Sequence, residues 1–257
     1  MTKDTHTAKS KPSRIRRVIN LVKPYIPNPI WMSLRAPIRK LIQLLRVSNY
    51  IKRDIGNIIT YGWHAPKYAE RIFINPQNVK LVTKTGFSGK NSGKLFSRED
   101  SGKVLGGDWD LNTKPLKSLK KIAIVFEHIE TGKSWKQCGA YENMLELMEA
   151  HPGAGGCYNE RDVINRYERL TDLIQHLKNG GEFYNRSGFR ESGGVFVHIG
   201  RDGEIIFGGG GCHRMAISQK LGLKKIPAQI GVIHIEFLKN HYHKLKTLRS
   251  SGNPPEK

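Results

Sequence analysis

Gly208-Gly209-Gly210-Gly211-Cys212-His213-Arg214 lies between an apolar run and a helical pattern. Upstream, Val195-Phe196-Val197-His198-Ile199 and Ile205-Ile206-Phe207 flank Gly200-Arg201-Asp202-Gly203-Glu204. That arrangement predicts a β-hairpin whose Asp-Gly pair supplies the positive φ of the turn. Downstream, Met215, Ile217, Ser218 and Leu221 sit among good helix formers, and Gly222 is placed to end the helix. Lys225 to Ile233 then reads as a strand with Pro227 near its start. Glycines allow a phosphate to approach the backbone, and a helix start offers unpaired N–H groups and a positive dipole end. His213 and Arg214 add side chains that bind anions. The stretch is a phosphate site in outline.

Phe207 to Ile230 resembles the signature of the ParB/sulfiredoxin superfamily. Gly211-Cys212-His213-Arg214 is closest to the sulfiredoxin branch, where a Gly-Cys-His-Arg element opens a helix. The likeness spans Val195 to Ile233 of the 257 residues. Gly107-Asp108-Trp109-Asp110 is instead similar to larger ParB-like proteins, in which the position of Cys212 is not uniformly cysteine. The resemblance implies an α+β fold, a mixed sheet with packed helices. It implies that Gly209, Gly210, Gly211, His213 and Arg214 hold a nucleotide, ATP with Mg²⁺. The first expectation is phosphoryl transfer to a small-molecule or protein acceptor. A second is ATP-dependent reduction of a cysteine sulfinic acid with Cys212 as nucleophile. A third is a DNA-binding or nuclease activity, although no helix-turn-helix pattern follows the core. The last is a non-catalytic module on a membrane surface.

Cys212 beside His213 and Arg214 at a helix start is expected to have a lowered pKa, which favours thiolate. Its plainer role is a small residue that permits close packing under the glycines. Asp108 and Asp110 are candidates for holding Mg²⁺ or for a base toward a hydroxyl. The alternative is a turn or helix cap, with Trp109 filling core. His198 and His234 lie in or beside strands and read as structural histidines. Arg201 reads as an exposed turn residue, whereas Arg190 and Glu191 are candidates to reach the glycines.

The net charge of +21 points to acidic partners: nucleic acid, anionic lipid or phosphorylated substrates. Residues 1–60 carry 13 Lys/Arg against two Asp/Glu. Within them Trp31, Leu34, Ile38, Leu41, Ile42 and Leu45 recur at helical spacing, which predicts a basic amphipathic helix. Residues 14–53 are thus the expected contact with nucleic acid or an anionic membrane surface, unless the apolar stripe packs on the core. Cys138, Cys157 and Cys212 form no metal-ligand spacing and no paired motif, and a reducing cytoplasm is expected. Cys138 and Cys157 read as structural or incidental, with exposure of Cys157 in its Gly-rich loop as the alternative. No apolar run is long enough for a transmembrane helix, and no signal peptide is visible.

The expected plan is a basic arm over 1–60, a domain over 61–240 with a helical insertion around 83–190, and a frayed basic tail over 241–257. Arg71-Ile72-Phe73-Ile74 predicts a strand that Val79–Val82 continues, while 83–103 reads as a loop without a true P-loop motif. Ile122–Phe126 fits strand or helix. Helices are expected up to Ala150 and again after Asn159, where Val163, Tyr167, Leu170, Ile174 and Leu177 form an apolar stripe.

Overall fold

Val195–Ile199, strand β5, is buried at every position. The computed structural model describes Pro37 and residues 47–84, 95–183, 190–191 and 193–250, except the side chain of Ser250. Helix α1 covers 47–61 of the described residues. Then come β1 (Arg71–Ile74), β2 (Leu81–Thr83), β3 (Val104–Leu105) and β4 (Thr113–Pro115). Three helices follow: α2 (Lys120–Thr131), α3 (Ala140–Ala150) and α4 (Glu160–Lys178). After β5 come β6 (Ile205–Phe207), α5 (Cys212–Lys220), β7 (Ile226–His234) and α6 (Ile235–Ser250). The seven strands form one mixed sheet in the order β1-β7-β5-β6-β2-β4, with β3 also on β7. This is the α+β architecture expected.

β5 runs parallel to β7 and antiparallel to β6, so the hairpin forms as its alternation and Asp-Gly turn required. Val195, Val197 and Ile199 enter the main core with Ile226, Ala228 and Ile230 of β7 and the apolar stripes of the helices. Phe96, Trp109, Ile206 and Val232 form a smaller cluster. Between the Val197/Ile230 and Ile199/Ile233 pairs β7 carries one extra residue, a β-bulge. His198 Nδ1 accepts the Val232 N–H at 2.9 Å and so supplies a partner there. A Cβ at Gly231 would lie 2.2 Å from that Nδ1, so the ring fits only against glycine. His198 is fully buried, and burial pushes its pKa down to about 3.

Several expectations change. Ile122–Phe126 is helical: Ile122, Val125 and Phe126 are buried at i, i+3 and i+4 while Ala123 is exposed. Val79–Val82 does not extend β1, because a 3₁₀ turn (Pro76–Asn78) redirects the chain and β2 joins β6 and β4 across the sheet. The 83–190 segment is not only helical, since β3 and β4 belong to the sheet. Residues 241–250 are no frayed tail. They complete α6, in which Leu245 is buried and Arg249 pairs with Glu70 and donates to the His64 and Ala65 carbonyls. Cys157 is buried rather than reachable. The helix expected over Trp31–Leu45 lies outside the described residues, apart from Pro37.

Candidate functional site

The glycine segment is pinned to β5 from both sides. Gly208 N–H donates to the Phe196 carbonyl at 2.8 Å, and Phe196 N–H donates to the Gly210 carbonyl at 2.9 Å. Gly208 must lack a side chain, since a Cβ would lie 2.6 Å from Phe196 and 2.7 Å from His198 Nε2. Gly211 caps α5 at φ 81° and would bring a Cβ within 2.8 Å of Val195 Cα. Among the described residues, no backbone carbonyl accepts from the N–H groups of Gly209, Gly211, Cys212 or His213. These N–H groups are thus left without a backbone acceptor at the start of α5.

Beside it opens a cleft of about 420 Å³. Its wall comes from β2 and β4 (Thr83, Lys84, Lys114), the start of α2 (Lys120, Lys121), α3 (Asn143, Leu147), and Gly208, Gly209 and Cys212. The starts of α2 and α5 thus meet in one cavity, and two positive dipole ends face the same space. The lining holds four lysines and no carboxylate. Lys120 is partly engaged by Glu146 at 3.2 Å, whereas Lys84, Lys114 and Lys121 have no carboxylate partner among the described residues. Asn143 is buried, and its Nδ2 donor has no partner in the described molecule. An orphaned buried donor costs about 1–3 kcal/mol, which a ligand acceptor would recover.

The residues marked in the sequence separate here. Gly209 and Cys212 line the cleft; Gly210, Gly211, His213 and Arg214 do not. His213 is buried against α4, its ring edge-on to Tyr167 at 5.8 Å and its Nδ1 3.5 Å from Arg166 Nη2. Burial first, then Arg166 and Lys121, push its pKa down to about 4. It is neutral at physiological pH and brings no positive charge to an anion, contrary to the sequence expectation. Arg214 is exposed. Its charge is felt by Arg98, whose pKa is lowered by burial and then by Arg214. Arg98 was hidden in a stretch that reads as loop. It donates to Gln229 Oε1 and to the Gly194 carbonyl and lies against Gly210.

Cys212 also reverses its expectation. Burial raises the thiol above its ordinary value, and Lys121 offsets that only in part. Its Sγ donates to the Gly209 carbonyl at 3.4 Å. The protonated thiol, not thiolate, is the resting form.

Asp108 and Asp110 sit at the other end of the hairpin, where Arg201 holds them. Arg201 Nη2 lies 2.9 Å from Asp108 Oδ1 and 2.8 Å from Asp110 Oδ1, and Arg201 Nε donates to Asp110 Oδ2 at 2.9 Å. Burial raises the Asp110 carboxyl, but the Arg201 hydrogen bonds outweigh it and hold the group below the usual carboxylate range. Neither carboxylate lines the cleft, so they do not fit the expected Mg²⁺ or base role beside phosphates. Among the described residues no group of three or more His, Cys, Asp or Glu side chains is placed to hold a metal ion. Arg201 is correspondingly paired rather than free in solvent. Trp109 fills core, as its plainer reading has it. Glu191 pairs with Arg71 at 3.0 Å, and Arg190 lies 3.5 Å from Asp54, so both serve β1 and α1.

The missed lining residues left one local signal, the Lys114-Pro115-Leu116-Lys117-Ser118-Leu119-Lys120-Lys121 run leading into α2. No protein-family model, curated protein or solved structure matches this chain.

Proposed function

We propose that the chain binds a phosphorylated nucleotide, ATP foremost, in the cleft between the glycine segment and the start of α2. One observation carries this reading: four lysines, two helix starts and no carboxylate surround a cavity of nucleotide size, about 420 Å³. The resemblance of Phe207–Ile230 to ParB/sulfiredoxin proteins supports the same ligand. In this reading Lys84, Lys114, Lys120 and Lys121 neutralise the phosphates, and the amides of Gly209 and Cys212 orient them. The apolar wall of Leu95, Leu119 and Leu147 takes the base, and the free Asn143 amide donates to it. ATP would supply a transferable phosphoryl group, with the lysines stabilising its charge toward an acceptor. Asp108 and Asp110 take no part.

Calorimetric titration with ATP, ADP and GTP tests the reading. Lys114→Ala/Lys121→Ala is expected to lose at least about tenfold in affinity, since each charge-assisted hydrogen bond contributes about 1.5–3 kcal/mol. His213→Ala/Arg214→Ala loses less. Absence of binding heat from all three nucleotides retires the proposal.

A further inference from the structure

Helix α1 turns its polar side to the protein and its apolar side outward. Asp54 is only 8% exposed and accepts the Tyr68 N–H at 2.7 Å. Asn57, equally buried, donates from Nδ2 to the Pro66 and Gly102 carbonyls, both at 2.7 Å. Arg53 donates to the carbonyls of Glu99 and Ser101, and Tyr50 stacks on Tyr68 at 3.5 Å. Opposite them, Ile51 and Ile55 are half exposed and Ile59 is 80% exposed. Trp63, just past the helix, is 79% exposed. Tyr61 and Tyr242 are also exposed, on a groove shared with Trp63, His64, Leu238 and Lys239. A helix docked on a soluble domain buries its apolar stripe. This one does the reverse and is fixed in that pose by buried hydrogen bonds.

We infer that the outward face of α1, with Trp63 and Tyr242, is a docking surface for an anionic lipid bilayer. Three features select that occupant. The apolar row is continuous and ends in an aromatic cluster, the composition that settles at the boundary between headgroups and acyl chains. The single acid of the helix, Asp54, is turned inward, which leaves Lys52 as the charged group on the outer face. In sequence, residues 1–60, which lead into and include most of α1, carry 13 Lys/Arg and two Asp/Glu. A protein partner without acidic excess would match the isoleucines but gains nothing from that charge; an anionic bilayer uses both over an extended surface. Among the described residues no helix is long and apolar enough to cross a membrane, so the face of α1 is offered to the surface of a bilayer. The surface is separate from the cleft, so the two proposals stand or fall independently.

The test uses the full chain and vesicles of phosphatidylcholine with and without phosphatidylserine, in a co-sedimentation assay. Binding is expected only with the anionic lipid, weakening as salt rises. Ile51→Asn/Ile55→Asn/Ile59→Asn is expected to reduce it at least about tenfold. The wild-type thermal midpoint should survive, because all three side chains already face water. Independently, with Trp31 replaced by Phe, brominated lipid should quench the tryptophan fluorescence of Trp31→Phe more than that of Trp31→Phe/Trp63→Phe, since Trp109 and Trp135 are buried. No binding to anionic vesicles, binding unchanged in the triple variant, or equal quenching of Trp31→Phe and Trp31→Phe/Trp63→Phe each overturns the inference. A triple variant that instead dissociates a wild-type dimer also overturns it and assigns the face to a second copy of the chain.

Discussion

Arg201 reaches Asp110 with its backbone N–H, its Nε and its Nη2, across 91 residues of sequence. The contact closes the β5–β6 turn onto the segment after β3. Asp110→Ala leaves the guanidinium facing a void, and because Arg201 is partly exposed the loss is moderated by solvent. A destabilisation of about 2 kcal/mol is expected by chemical denaturation, with nucleotide affinity unchanged. A loss of nucleotide binding would instead return Asp110 to the site.

His213 makes stability depend on pH in a defined direction. The unfolded imidazole takes a proton near its ordinary pKa of 6.5, whereas the folded one resists it down to about 4. The unfolded state therefore binds more protons between those values, and stability falls as pH drops from about 6.5 to 4. At 1.36 kcal/mol per unit the effect reaches about 3 kcal/mol. His198 acts in the same direction and extends the loss toward pH 3. Over this range the thermal midpoint of wild type should fall more steeply with pH than that of His213→Gln; equal slopes would show that His213 does not titrate as described.

Asn143 offers an opposite pair of effects. Asn143→Leu removes an orphaned buried donor and is expected to raise the thermal midpoint without ligand, by the equivalent of about 1 kcal/mol. The midpoint increase produced by ATP should shrink in the same variant. A destabilised Asn143→Leu protein would mean that the amide is satisfied in solution.

Gly211→Ala combines a left-handed conformation with a Cβ 2.8 Å from Val195 Cα. The two together are expected to cost roughly 2–4 kcal/mol. Gly209→Ala, at φ 83° but with no atom near the new Cβ, should cost about 1–2 kcal/mol. Equal losses at the two positions would show that the loop leaves β5 in solution.

Cys212, with its thiol raised, is expected to alkylate more slowly than a free cysteine at neutral pH, and more slowly still with ATP in the cleft. Mass spectrometry after iodoacetamide treatment, with Cys212→Ser as control, reads this directly. Fast alkylation would restore the thiolate reading and with it the sulfinic-reductase alternative.

The elements around the glycines were legible because their signals are local: alternation through β5, Asp-Gly in the turn, glycine on each side of α5. The cleft was not, because Lys84 and Lys114 meet only through the β2–β4 pairing, and the glycines reach them only through β6 on β2. Sequence placed His213 and Arg214 at a helix start, which is where they are. It could not show that α4 covers one of them or that solvent takes the other. Asp108 and Asp110 looked poised for chemistry because their partner, Arg201, is far along the chain.

The fold also has an order of assembly built into it. Among the described residues β1 pairs only with β7, Arg71–Ile74 against Ile226–Gln229, and Arg249 then fastens Glu70 across 179 residues. On a ribosome, the early strand therefore waits as an unpaired edge for nearly the entire chain to be made. Closure is a late event that depends on distant parts of the sequence meeting, and slow folding is its expected signature.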